Sequence, residues 1–165
     1  MFVPFDQLLD TARIWIYPCA RQLTVNEVTD VSNRLRLFIN NWTAHGKPMH
    51  ASFTISHRQF IVVAADEQVQ PASGCSIDDS VRVIKELDKT FSLELVHHAL
   101  VIFLHDERPV TIPVSALKSA LAENKWNANS LVFDVTVATV GEFKKRFVAP
   151  AGKTWLQRYL QKQPA

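Results

Sequence analysis

Hydrophobic and polar positions along this chain alternate between two periods. Val28, Val31, Leu35, Phe38, Ile39 and Trp42 recur at the spacing of one helix face. Ahead of them, Thr24-Val25-Asn26-Glu27 is a capping box, in which the threonine and the glutamate satisfy each other's orphan N–H groups. A helix is therefore predicted over about 25–41. A second stripe, Ile77, Val81, Ile84, Leu87 and Phe91, predicts a helix over about 77–90, with Ser76 as N-cap and Asp79 at the capping-box position.

Period-two segments flank these helices. Arg13 to Tyr17 is a β-branched and aromatic run closed by Pro18. In His50 to Ser56, Ser52, Thr54 and Ser56 alternate with Ala51, Phe53 and Ile55, predicting one wet face. Gln59 to Ala65 follows a turn at His57-Arg58, is apolar on both faces and reads as a central strand. Further on, Val101 to His105 and Val110 to Ile112 form a predicted hairpin around Asp106-Glu107-Arg108-Pro109. A short helix over Ser115 to Asn124, a strand over Leu131 to Val137 and a helix from the capping box Thr139-Val140-Gly141-Glu142 to about Phe147 complete the pattern. Trp155-Leu156 and Tyr159-Leu160 give a terminal helix one apolar side.

Strand, helix, strand, strand, helix, strand across residues 12–105 is the split βαβ order of ferredoxin-like domains. The expected class is α+β: a mostly antiparallel sheet with helices on one face, the ferredoxin-like βαββαβ order in 12–105, and a C-terminal α+β extension. One compact domain over 1–165 is expected, with 1–97 and 98–165 as its natural subdivision.

Composition narrows the function classes. Hydrophobic residues at 47% and charged residues at 21% suit a packed globular chain rather than a disordered one. Two cysteines, Cys19 and Cys75, are too few for a disulfide scaffold. The N-terminus has no basic segment followed by a long apolar run, and the apolar runs are strand-sized, so a soluble cytoplasmic protein without membrane association is expected. Residues 141–165 carry six Lys/Arg (Lys144, Lys145, Arg146, Lys153, Arg158 and Lys162) against Glu142 alone. Such a segment attracts phosphates or an acidic partner. More often such a segment is a solvated helix face, and nucleic acid is not the expected partner.

Cys75 carries the clearest chemical signal. It sits in Ser73-Gly74-Cys75-Ser76-Ile77-Asp78-Asp79 at the start of the second helix, where unpaired N–H groups favour thiolate over thiol. His45 and His50 lie in the loop Trp42 to His50 that follows the first helix, and either would supply the base that a thiol nucleophile needs. Asp66, Glu67 or Asp78 would orient that base, although Asp78 also suits the first turn of a helix. Trp42, Gly46, Gly74, Ser76 and Asp78 are the candidate ligand-binding positions around this thiol. Helix capping by Gly46 and packing by Trp42 explain the loop without chemistry. No metal or cofactor is expected: the six histidines form no His-x-x-x-His pair, no Cys-x-x-Cys occurs, and the adjacent His97-His98 point to different faces of any regular element. Gly152-Lys153-Thr154 matches the end of a P-loop. Phe147 stands where the motif needs glycine, and Pro150 interrupts it, which removes nucleoside triphosphatase chemistry.

Trp42-Thr43-Ala44-His45-Gly46-Lys47-Pro48, Ser73-Gly74-Cys75-Ser76-Ile77-Asp78 and Trp155 together resemble a family of small uncharacterised bacterial proteins, some labelled "ABC transporter ATPase" despite lacking nucleotide-binding motifs. The resemblance spans nearly the whole chain. It implies a compact cytoplasmic protein and transfers no catalytic residue. The functional expectation is a non-catalytic ligand- or protein-binding module. The alternative is a thiol-dependent enzyme with Cys75 as nucleophile and His45 or His50 as base. Trp155, Leu156, Tyr159 and Leu160 are the expected contact with a second copy or a protein partner.

Overall fold

The computed structural model describes residues 1–96 and 100–161. His97, His98 and Lys162 lie outside them. The chain divides into two compact units, one of Met1–Leu95 with Ala138–Lys144, the other of Val96–Val137 with the described residues from Lys145 onward.

The first unit contains β1 (Arg13–Pro18), α1 (Val25–Asn41), the short pair β2 (Thr43–Ala44) and β3 (Lys47–Pro48), β4 (Ala51–Ser56), β5 (Phe60–Ala65) and α2 (Gly74–Phe91). β5 is central in an antiparallel sheet of order β1-β5-β4, with Ala65 opposite Arg13 on one side and Ala51 on the other. Every residue of β5 is buried, as its uninterrupted apolar run demands. Period two assigns the faces: Ala51, Ile61, Val63 and Ala65 share one core with Val31, Leu35 and Ile39 of α1 and Ile84 and Leu87 of α2. The helices thus cover a single sheet face. On the opposite face the expected wet surface is absent at Ser52, which is fully buried and whose hydroxyl has no hydrogen-bond partner among the described residues; Thr54 and Ser56 are half-buried.

The second unit holds β6 (Leu100–His105), β7 (Arg108–Pro113), α3 (Leu117–Ala122), β8 (Leu131–Phe133), β9 (Val148–Pro150) and α5 (Gln157–Leu160). Between β8 and β9, α4 (Val140–Arg146) begins within the first unit. The four strands pair antiparallel in the order β7-β6-β8-β9. The fold is α+β with mostly antiparallel sheets.

The ferredoxin-like order would place Leu100–His105 in one sheet with β1. It pairs instead with β7 and β8. A local reason is visible at β1, whose outer edge is already occupied: the Ile14 N–H donates to the Ala138 carbonyl and the Val140 N–H to that of Ala12, both at 2.9 Å. Two boundaries also differ from the sequence expectation. The turn between β6 and β7 is only Asp106-Glu107, both with positive φ, so Arg108 and Pro109 belong to the strand. β8 ends at Phe133: the Asp134 N–H still donates to the Phe147 carbonyl at 2.7 Å, but its carboxylate accepts the Thr136 N–H at 3.0 Å and turns the chain.

Candidate binding site

The two long helices of the first unit run antiparallel and are fastened at both ends. At one end Trp42 caps α1 in an extended conformation. Its indole N–H donates to the Ser76 carbonyl in the first turn of α2 at 2.9 Å. Only 2% exposed, its ring packs against Phe38 and Trp15, with centroids 5.1 and 6.2 Å away. At the other end Arg21 forks onto Glu27 with nitrogen–oxygen distances of 2.8 and 2.9 Å, while also donating to the Phe91 and Ser92 carbonyls that end α2. Glu27 belongs to the predicted capping box of α1, which forms. The Arg21 hydrogen bonds hold the Glu27 carboxyl down at about 2, with the Thr24 N–H contributing.

Between these fastenings lies an open groove of about 530 Å³. Arg34, Leu37, Phe38 and Asn41 form its α1 wall; Asp79, Arg82, Val83 and Glu86 form its α2 wall. Each set follows the i, i+3, i+4, i+7 spacing of a helix stripe. Trp42, Thr43 and Leu87 complete the lining. Leu37, 67% exposed, is an apolar side chain left in water at the edge of this hollow. Arg82 pairs with Asp79 at 2.8 Å, and the Arg34 guanidinium lies 5.2 Å from the centre of the Phe91 ring.

The sequence-derived candidates cluster near one end of this groove in part. Trp42 and Ser76 are brought together, and both are buried. Helix α2 begins at Gly74, one turn earlier than expected: Ser73 is its N-cap, and the Ser76 side chain returns the hydrogen bond as the partner in a capping box. Cys75 is the second residue of this helix, exposed, with its sulfur unbridged. Gly74 and Asp78 are exposed. Gly46 does not cap α1. His45 and Gly46, with φ of 51° and 74°, are the central pair of a tight turn joining β2 to β3, a conformation that suits glycine and that His45 also adopts. His45 is thus exposed at a hairpin tip, whereas His50 is half-buried and its carbonyl accepts the Asp66 N–H, extending the β4–β5 ladder. Among the described residues no hydrogen bond links Cys75 to His45 or His50, and no three His, Cys, Asp or Glu side chains converge on a metal-sized space.

At the C-terminus, Leu156 is fully buried in the core of the second unit with Leu117 and Trp126, and Tyr159 and Leu160 pack against it. Trp155 remains 36% exposed, with the Arg158 guanidinium 4.8 Å from its ring. The basic segment is partly neutralised: Lys144 pairs with Asp10 at 3.1 Å and Arg146 with Asp134 at 2.8 Å. Gly152-Lys153-Thr154 forms no phosphate cradle. The Gly152 N–H donates to the Ala128 carbonyl, and the Thr154 hydroxyl donates to Ala151 and accepts from Leu156.

Sequence reasoning missed the groove itself. Its one available signal was Leu37, an apolar residue off the buried stripe of α1. No helix among the described residues is long and apolar enough to cross a membrane. No protein-family model, curated protein or solved structure matches the chain.

Proposed function

We propose that this chain is a non-catalytic binding module and that the α1–α2 groove receives apolar groups of its ligand. The observation carrying this reading is a hollow of about 530 Å³ whose lining includes the apolar side chains of Leu37, Phe38, Trp42, Val83 and Leu87 beside polar ones. That size falls within the range of ligand sites, about 300 to 1,000 Å³, and the lining joins apolar side chains to charged and polar ones that can orient a ligand. Two helices fastened at both ends also supply a largely pre-formed site, which limits the ordering cost of binding. The thiol-enzyme alternative retains an exposed Cys75 at a helix start, but among the described residues no imidazole is hydrogen-bonded to its sulfur to act as base. Two free thiols support a reducing, cytoplasmic setting.

Titrating isotope-labelled protein with a library of small apolar and amphipathic fragments tests the reading. Amide shifts concentrated at Leu37, Phe38, Val83 and Leu87 are expected. Saturable shifts located elsewhere, or none at all, would overturn it.

A further inference from the structure

We propose that the occupant of the α1–α2 groove is a second copy of this chain, docked about a two-fold axis with Leu37 of each copy inserted into the hollow of the other. This rests on the reading of the groove as a binding site. In such a contact residue i meets residue j while j meets i, so one face must present both halves of every interaction. This face does. It carries an exposed apolar side chain, Leu37, at a hollow to which Phe38, Trp42, Val83 and Leu87 also contribute. It also carries two arginines and two acids.

Arg82 and Asp79 already neutralise one another. Arg34 stands on the α1 wall and Glu86 on the α2 wall, and among the described residues neither has an ion-pair partner in its own chain. A two-fold axis between the copies pairs each Arg34 with the other copy's Glu86, twice over. A strongly acidic or strongly basic partner would match one of these charges and oppose the other. A copy of the same face matches both.

Sedimentation equilibrium of the full chain from micromolar to millimolar concentration tests the proposal. A monomer–dimer equilibrium is expected, with Leu37→Asp raising the dissociation constant by about tenfold or more, as burying a charge in an apolar contact requires. Leu37 is exposed, so this variant keeps its fold, which its thermal melt verifies. Arg34→Glu and Glu86→Arg each place like charges opposite one another across the axis and weaken self-association. An equimolar mixture of those two variants restores opposite charges at both contacts and associates more tightly than either alone. A wild-type chain that stays monomeric throughout, or a dimer indifferent to Leu37→Asp and to the charge exchange, would overturn the proposal. If the chain is monomeric while fragments still shift the groove amides, the second copy is excluded and the binding site stands.

Discussion

The Trp42 indole N–H reaches the Ser76 carbonyl across 34 residues of sequence and fixes the C-terminal end of α1 against the first turn of α2. Arg21 performs the equivalent task at the opposite end of the pair, joining the α1 capping box to the last carbonyls of α2. The groove is what these fastenings hold open between them.

Removing the first fastening separates its polar and apolar parts. Trp42→Phe keeps a ring and loses the hydrogen bond, a cost of about 1 kcal/mol. Trp42→Ala also loses the packing against Phe38 and Trp15 and costs about 3–5 kcal/mol. Urea denaturation midpoints should fall in that order, and a Trp42→Phe midpoint equal to that of the wild type would show that the indole N–H contributes nothing.

The second fastening makes stability depend on acid. The Glu27 carboxyl titrates near 2 in the folded chain, below its ordinary value of 4.5, because Arg21 binds the charged form. A depressed carboxyl contributes stability that is fully present above the ordinary value and is lost as pH falls through the folded one. Between about pH 5 and pH 2 the wild type should therefore lose about 1 kcal/mol more than Glu27→Gln, a figure reduced for the partial exposure of the pair. Parallel stability curves for the two proteins over that window would contradict the assignment.

The two thiols should differ sharply in reactivity. Cys19 is fully buried, and desolvation pushes its thiol up to about 12, whereas Cys75 is exposed. A thiol reagent added to native protein near neutral pH should modify one cysteine per chain, identified as Cys75 by peptide mapping, and the second only after denaturation. Rapid modification of both would mean that the Cys19 environment opens readily.

Gly141 marks where the chain returns to the first unit. A Cβ at this position would sit 2.9 Å from the Asp10 Cβ and 3.1 Å from its carbonyl oxygen. The Gly141 N–H also donates to that carbonyl at 2.9 Å, so the two backbones cannot separate without losing it. Gly141→Ala should destabilise by about 1–3 kcal/mol in thermal or urea unfolding. A neutral effect would show that the Asp10 segment yields freely.

Local signals made much of the first unit legible in sequence. Helix α1 matches its predicted bounds because the capping box at Thr24 and Glu27 opens it and Trp42 leaves helical geometry at its end. Helix α2 begins earlier because two serines three residues apart both resemble caps, and only the reciprocal bonds between Ser73 and Ser76 decide between them. The hairpin partner β7 of β6 was legible, but its exclusion from the first sheet was not: the β1 edge is occupied by Ala138 and Val140, more than a hundred residues along the chain from β1. The Thr43 to Pro48 hairpin was hidden because His45, a residue with a Cβ, takes positive φ beside Gly46. The groove was hidden for a different reason. Arg34, Leu37 and Phe38 look like an ordinary helix flank until α2 lays a second stripe alongside them, and no local pattern encodes that pairing.

The most direct test of the central claim is the methyl spectrum of Leu37, Val83 and Leu87, recorded while the fragments that shift the groove amides are titrated into wild type and into Leu37→Asp. The account predicts that the wild-type methyl signals of all three residues move together with one dissociation constant, and that the Val83 and Leu87 signals still move in the variant, whose hollow no second copy fills. Methyl groups that stay still in both proteins while the ligand binds would contradict it.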